Sequence, residues 1–283
     1  MPKPRRVHLT TTTHDSAEAG LTYVYAVLSR RAGGVSIGVN LSTNKACNWR
    51  CVYCQVPGLV RGKGPPVDLA KLEAELESVL VAAKSGELFE GAGPAPPVVD
   101  VAFSGDGEPT ASPDFGAAVE VVGRALRKVE LRVPIILITN GTRVGSPRIQ
   151  AALRTLADHG GVVWFKLDRA TQEGLRETNG TVVSPARHLE RLAACAGACP
   201  TWIQACFFAR RGAPVAESEV SAWLDALGGL VRDGVPVRGV HLYTLARPSY
   251  QPEAPELAPL DTDWMQALAD RVRALGFDAR VSI

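Results

Sequence analysis

The chain has 283 residues, of which 46% are apolar, and a formal charge of +2. That is enough apolar material for one full core, at a length where α/β barrels form a single domain; the small net charge excludes a global field that would by itself recruit nucleic acid or a membrane surface. No stretch approaches the roughly 20 apolar residues of a membrane span, and the N-terminus lacks the apolar run of a secretory signal, so the expected location is the cytoplasm, where thiols stay reduced.

Residues 1–20 are polar, with Pro2, Pro4 and the run Thr10–Thr13, and are expected to be disordered or loosely attached, leaving 21–283 as a single domain. Apolar, β-branched runs then alternate with stretches of helical periodicity, the pattern of a parallel sheet covered by helices. The predicted strands are Val35–Leu41, Val98–Ser104, Ile135–Asn140, Val162–Asp168, Trp202–Phe208 and Val237–Tyr243, each apolar enough to be buried on both faces. Helices are predicted at Asp68–Ser85, Phe115–Glu130, Pro147–His159, Pro185–Ala198, Ala216–Arg232 and Asp261–Leu275. Asp68 and Ser184 are placed to cap exposed amides, and Pro147 and Pro185 suit a first helical turn. Gly86–Pro97 reads as a loop, and Phe277–Ile283 as a short added strand or a lid. Pattern alone leaves two architectures open, a doubly wound sheet and a partial barrel.

The loop after the first predicted strand carries Cys47, Cys51 and Cys54 in the spacing C-x-x-x-C-x-x-C. Loops at the carboxyl ends of parallel strands build the active sites of α/β folds. Three thiolates this close together can wrap one corner of a cubane iron–sulfur cluster, whereas a structural zinc site needs four closed ligands. No fourth Cys or His lies nearby, and His8 and His14 are far upstream. Three ligands leave one metal position open, which points to chemistry rather than scaffolding. Asn48 and Arg50 argue against the remaining alternative, a close-packed apolar cysteine cluster.

The second predicted strand ends in Ser104-Gly105-Asp106-Gly107-Glu108-Pro109-Thr110, a Gly-rich turn with two acids. The third ends in Thr139-Asn140-Gly141-Thr142 and the fourth in Lys166-Leu167-Asp168. Polar groups here point into the mouth of the fold, although Asn140 and Asp168 also suit capping of the following helix or turn.

With Tyr53 directly before the third cysteine, the loop resembles the hallmark of the radical SAM superfamily. The resemblance implies a partial (β/α)6 barrel, open on one side. It implies a 4Fe-4S cluster on Cys47, Cys51 and Cys54, with S-adenosyl-L-methionine (SAM) chelating the fourth iron. One electron passed to the sulfonium would release a 5′-deoxyadenosyl radical, the cofactor carrying the hard chemistry. The turn Gly105–Pro109 resembles the family's G-G-E-P motif, with Asp106 where a further glycine is usual. Gly105, Asp106, Gly107, Glu108 and Pro109 are thereby implied as cofactor contacts, either Asp106 or Glu108 facing the SAM ammonium. The same resemblance implies Asn140 and Asp168 at the ribose, Tyr53 and the strip Val240–Thr244 against adenine, and a reducing partner such as flavodoxin or ferredoxin.

Further stretches, Tyr23–Tyr25 through Ser29–Arg31, the run Gly38–Asn40 entering the cysteine loop, Gly105–Thr110, Thr139–Gly141 and Leu242–Pro248, resemble Fe–S oxidoreductases related to wyosine-synthesising tRNA enzymes. tRNA modification is therefore one alternative for the activity. An electron-transfer or redox-sensing protein without substrate is the alternative of another class, and the Gly105–Pro109 turn argues against it.

The cations follow the same topology. Arg50, Arg61 and Lys63 flank the cysteine loop, Arg143 follows the third predicted strand, Arg169 the fourth, Arg210 and Arg211 the fifth, and Arg247 the sixth. All these loops are expected to open on one mouth, which predicts an anionic substrate. Cys195, Cys199 and Cys206 read as small buried hydrophobes rather than a second cluster.

Overall fold

The structure, a computed structural model, describes residue 4 and residues 20–29, 33–89 and 96–283. Most of the polar N-terminal segment and the middle of the predicted loop 86–97 lie outside the described residues.

The chain opens with β1 (Val24–Ser29), β2 (Gly34–Val39), β3 (Ala46–Cys47) and β4 (Val60–Arg61), then α1 (Leu69–Ser85) and β5 (Val98–Phe103). There follow α2 (Phe115–Val129), β6 (Ile135–Thr139), α3 (Pro147–Asp158), β7 (Val162–Lys166), α4 (Gln172–Asn179) and α5 (Pro185–Ala196). The last third holds β8 (Thr201–Cys206), β9 (Phe208–Arg210), α6 (Glu217–Arg232), β10 (Val237–Tyr243), β11 (Leu257–Pro259), α7 (Thr262–Ala274) and β12 (Asp278–Ser282).

Eight strands form one curled sheet in the order β1-β2-β5-β6-β7-β8-β10-β12. Only the β1–β2 pair is antiparallel; the other pairings are parallel. This is the expected half-barrel of α/β type. Strand alternation divides the residues between its two faces. Val163 and Phe165 of β7 join the large core under the helices, while Trp164 packs with Ala102 and Ile136 on the concave face. The helices close the convex face through apolar stripes, as in α2, where Phe115, Ala118, Val119, Val122, Ala125 and Leu126 are buried at helical spacing.

Capping follows the sequence. Asp68 accepts from the Lys71 amide and Ser184 from the Arg187 amide, each worth about 1 kcal/mol, and Pro147 and Pro185 stand in first turns.

The first strand and the fourth helix were not in the expectation, and the C-terminal stretch takes the first of its two expected forms. β1 is an added antiparallel strand paired along one side only. The short α4, with few apolar residues, is too brief for periodicity to reveal. Phe277–Ile283 resolves into a strand, β12, beside β10. Five of the six predicted strands also ran one or two residues too far at their carboxyl ends, while Val237–Tyr243 matches β10. Leu41, Ser104, Asn140 and Asp168 lie past the ladder, and most of those overhangs build the mouth.

Candidate active site

Residues 40–64 cross the carboxyl end of the sheet. The loop is pinned by the short pair β3–β4 and by a backbone clamp from the end of α4: the Arg50 amide donates to the Asn179 carbonyl at 3.0 Å and the Val52 amide to the Thr178 carbonyl at 2.9 Å. On its other side Ser249 Oγ donates to the Val52 carbonyl at 2.7 Å, and the Tyr250 amide to the Cys54 carbonyl at 3.0 Å. Arg50 forks onto Glu253 with contacts of 2.9 and 2.6 Å, holding the loop to the segment after β10.

Cys47, Cys51 and Cys54 are all half-buried free thiols. Burial pushes Cys47 up to about 12, with smaller opposing and reinforcing contributions from the Trp49 backbone and Glu108. It pushes Cys51 up to about 11 against the opposing Lys166 ammonium. Cys54 is raised by burial as well. Among the described residues no three His, Cys, Asp or Glu side chains converge on a single metal ion. Three thiols on one loop suit three irons of a cubane, whereas a closed mononuclear zinc site takes four ligands. Three soft, half-buried donors on one loop, unpaired with one another, fit a 4Fe-4S cluster in number and chemistry.

The Gly105–Pro109 turn packs against this loop with no room to spare. A Cβ on Gly107 would come within 2.2 Å of the Ala46 carbonyl oxygen, and Gly105 has φ +117° against Asn40, so both positions need glycine. The two acids differ. Glu108 is buried, and its Oε1 accepts from the Thr110 amide, Thr110 Oγ1 and Thr139 Oγ1 at 3.1, 2.6 and 2.6 Å. Its Oε2 accepts from the Asn140 amide at 2.7 Å. Burial raises the Glu108 carboxyl, partly offset by these four donors. Asp106 is only half-buried and accepts from Asn40 Nδ2 at 2.8 Å.

The two residues expected at the ribose use their polar atoms within the protein. Asn140 Nδ2 donates to Asn48 Oδ1 at 2.8 Å, and Asn140 Oδ1 accepts from the Thr142 amide at 3.0 Å, tying the cysteine loop to β6. Asp168 is fully buried. Its Oδ1 accepts from the Cys206 amide at 2.9 Å, and its Oδ2 from Tyr53 Oη at 2.5 Å and Asn179 Nδ2 at 2.6 Å. Lys166 Nζ stands 3.4 Å from the same oxygen, 4.5 Å over the Tyr53 ring, and donates to Tyr53 Oη. Burial alone would raise Asp168, but the Lys166 ammonium and three hydrogen bonds hold it below the usual carboxylate range. Tyr53 thus belongs to this buried network, its ring 5.6 Å from Phe208. On the expected adenine strip, the His241 ring packs against the rings of Trp164 and Trp202, with centroids 4.8 and 4.6 Å away.

Sequence reasoning missed Lys166 and Asn179. Lys166 was visible beside Asp168, and Asn179-Gly180 is a helix-ending pair whose signal was lost with α4.

The cations do not gather as expected. Arg50 is paired with Glu253, Arg210 and Arg211 share Glu256 at 2.8 Å each, and Arg169 is buried against the Phe207 and Phe208 rings. Four of the eight cations credited to the mouth are thus neutralised or packed away. Cys195 and Cys199 sit in the core under the helices, while Cys206 packs with Val52, Tyr53 and Phe208 on the other face of the sheet. The three are divided by the sheet.

A family model described as the radical SAM superfamily matches residues 41–208. A UPF0026 protein of Helicobacter pylori strain 26695 is 28% identical over half of this chain and 41% of its own length; its counterpart in strain J99 is 25% identical over 54% of this chain and 44% of its own. The chain thus spans less than half the length of these relatives. Among solved structures, TYW1 with a lysine–pyruvate adduct has a TM-score of 0.56 at 16% identity, covering 84% of this chain and 73% of that one. A radical SAM methyltransferase from Sphaerobacter thermophilus has a TM-score of 0.55 at 16% identity, covering 88% and 66%. Likeness at this level concerns the fold. No helix among the described residues is long and apolar enough to cross a membrane.

Proposed function

This chain belongs to the radical SAM superfamily, and from that membership we propose that Cys47, Cys51 and Cys54 hold its 4Fe-4S cluster while the Gly105–Pro109 turn receives the SAM amino acid moiety. As a radical SAM enzyme it uses both cofactors and needs a reductant. Held there by Cys47, Cys51 and Cys54, the cluster would supply one-electron reduction of the SAM sulfonium.

The observation that carries the reading is the close packing of the Gly105–Pro109 turn on the cysteine loop, Gly107 against Ala46. Neither segment can move without the other. Asp106, half-buried at the mouth, is the carboxylate that faces the SAM ammonium. Glu108, already accepting four hydrogen bonds, holds the turn in shape. Asn140, Asn48 and the Asp168 network keep the loop in one geometry, so the cofactors meet a preorganised site.

The substrate is proposed to be anionic. The finer placement, among Fe–S oxidoreductases related to wyosine-synthesising tRNA enzymes, rests on the resemblance of Gly105–Thr110 and Leu242–Pro248, and flavodoxin or ferredoxin is the proposed class of reductant. The test is to reconstitute the protein anaerobically, reduce it and add SAM. An enzyme of this kind forms 5′-deoxyadenosine; an electron carrier without substrate does not.

A further inference from the structure

Beyond its last thiol the cysteine loop continues as an arch, residues 55–63, that leaves Cys54 and returns to Cys47. β4 pairs with β3 so that Arg61 stands opposite Cys47. The Gly62 amide donates to the Cys47 carbonyl and the Val60 amide to the Lys45 carbonyl, each at 3.0 Å. The arch turns at Gly58, where φ is +68° and nothing lies within 4 Å of the place a Cβ would take, a conformation that favours glycine. Both ends of the arch thus join cysteines assigned to the cluster. Between them Pro57, Gly58, Val60, Arg61 and Lys63 are exposed.

From Leu41 to Val67 the chain carries four cations, Lys45, Arg50, Arg61 and Lys63, and no Asp or Glu. Arg50 is neutralised by Glu253. Among the described residues the other three form no ion pair, and all three are exposed. Arg61 donates to the Asn48 and Gly180 carbonyls; these acceptors are uncharged, so its position is fixed while its charge stays uncompensated. Exposed apolar surface lies in the same region. Val60, Val182 and Tyr250 are 51%, 90% and 66% exposed. Val60 is on the arch, Val182 lies two residues past the Gly180 carbonyl that takes Arg61, and the Tyr250 amide donates to the Cys54 carbonyl. Exposed apolar side chains beside unpaired charge are the make-up of a surface that meets another protein.

We propose that the arch, together with Lys45, is the docking surface of the reductant, a one-electron carrier protein that is acidic around its redox group. The inference rests on the assignment of the cluster to Cys47, Cys51 and Cys54 and says where its electron enters. One electron passes from the reduced carrier, which is thereby oxidised, to the oxidised cluster held by the three thiolates; no proton or group moves with it. Position selects this partner. Gly62 and Cys47 are one hydrogen bond apart, so a carrier seated on the arch is held against the loop that bears the ligands. Three cations suit the small, transient interface of an electron-transfer complex, below about 1,200 Å², and steer an acidic partner to it. A nucleic acid backbone is typically held by about 6–10 phosphate contacts.

The test uses cluster-loaded protein, with a flavodoxin and a 2Fe-2S ferredoxin as separate probes. Binding of the oxidised carriers is followed by calorimetry, and electron transfer from the flavodoxin hydroquinone by stopped-flow appearance of its semiquinone. Wild type is expected to bind at least one carrier saturably, and more weakly as salt rises. Lys45→Glu/Lys63→Glu is expected to weaken binding about tenfold or more and to slow electron transfer below saturation in proportion. Its iron content, and the 5′-deoxyadenosine it forms with dithionite and SAM, should match wild type. Val60→Ser should weaken binding several-fold through lost apolar contact. Arg238→Glu, an exposed change at the amino end of β10, should bind as wild type and so separates the arch from net charge. Wild type that takes up no iron overturns the cluster assignment and the docking with it. Wild type that holds iron and forms 5′-deoxyadenosine with dithionite, yet binds neither carrier saturably, overturns the docking alone. So does binding unchanged in both arch variants, or weakened equally by Arg238→Glu. A short single-stranded RNA whose binding is lost in the double variant, while the carriers keep theirs, would make the arch a nucleic acid surface and overturn the proposal as well.

Discussion

Asn179 Nδ2 stands 3.4 Å from Cys51 Sγ and 2.6 Å from Asp168 Oδ2, so one buried amide spends its two hydrogens on a cysteine of the loop and on the carboxylate beneath it. An N–H directed at a ligand sulfur stabilises the reduced, more negative cluster. Asn179→Leu is therefore expected to lower the cluster midpoint potential by roughly 40 mV, the equivalent of about 1 kcal/mol in a one-electron couple. Redox titration followed by EPR measures this directly. An unchanged midpoint in a variant that keeps its iron would remove Asn179 from the tuning of the cluster.

Anaerobic reconstitution should give about four irons and four sulfides per chain, and Cys51→Ala should lose them. The triple Cys→Ala variant at 195, 199 and 206 should keep both, since those thiols lie on two faces of the sheet. Wild-type protein that takes up zinc and no iron would defeat the assignment of Cys47, Cys51 and Cys54. Iron lost from the triple variant would reveal an auxiliary site.

Asp106 and Glu108 should separate by phenotype. Asp106→Asn removes a charge facing the mouth and is expected to weaken SAM binding about tenfold with stability unchanged, the cost of a charge-assisted contact. Glu108→Gln keeps one acceptor oxygen for Thr110 and Thr139 but sets its NH2 against the Asn140 amide, and should destabilise the fold by roughly 1–3 kcal/mol. Equilibrium dialysis with SAM and thermal melts read the two effects. If the phenotypes were exchanged, Glu108 would be the ammonium partner.

The Lys166–Asp168 pair predicts a pH dependence of stability. Asp168 has a folded pKa below its unfolded value, so its contribution is present above the unfolded pKa of about 4 and is lost as pH falls through the folded value. Asp168→Asn should leave Lys166 buried without its carboxylate, costing about 3–5 kcal/mol at neutral pH, and should flatten the acid limb below pH ~4. Denaturant melts across pH provide the check, with Lys166→Met/Asp168→Asn expected to recover part of the loss. An acid limb that persists in Asp168→Asn would mean that other carboxylates set it.

Much of this molecule follows from local pattern. The alternation of β-branched runs with helical stripes, the caps at Asp68 and Ser184 and the cysteine spacing each depend on residues near one another in the chain, and six strands, six helices and the position of the cysteine loop were legible from them. Pairing at a distance was not. Which carboxylate is exhausted by hydrogen bonds was decided when Thr139 and Asn140 were brought to Glu108, and which arginines are neutralised was decided when Glu253 and Glu256 were brought to Arg50, Arg210 and Arg211. Lys166, Asn179 and Tyr53 meet at Asp168 from β7, α4 and the cysteine loop. The charge available at a site depends on these long-range partners, and a buried hydrogen bond joins residues more than a hundred positions apart, as Tyr53 and Asp168 are. Composition and spacing determine the chemistry a chain can carry; the tertiary contacts decide which of its polar groups remain to perform it.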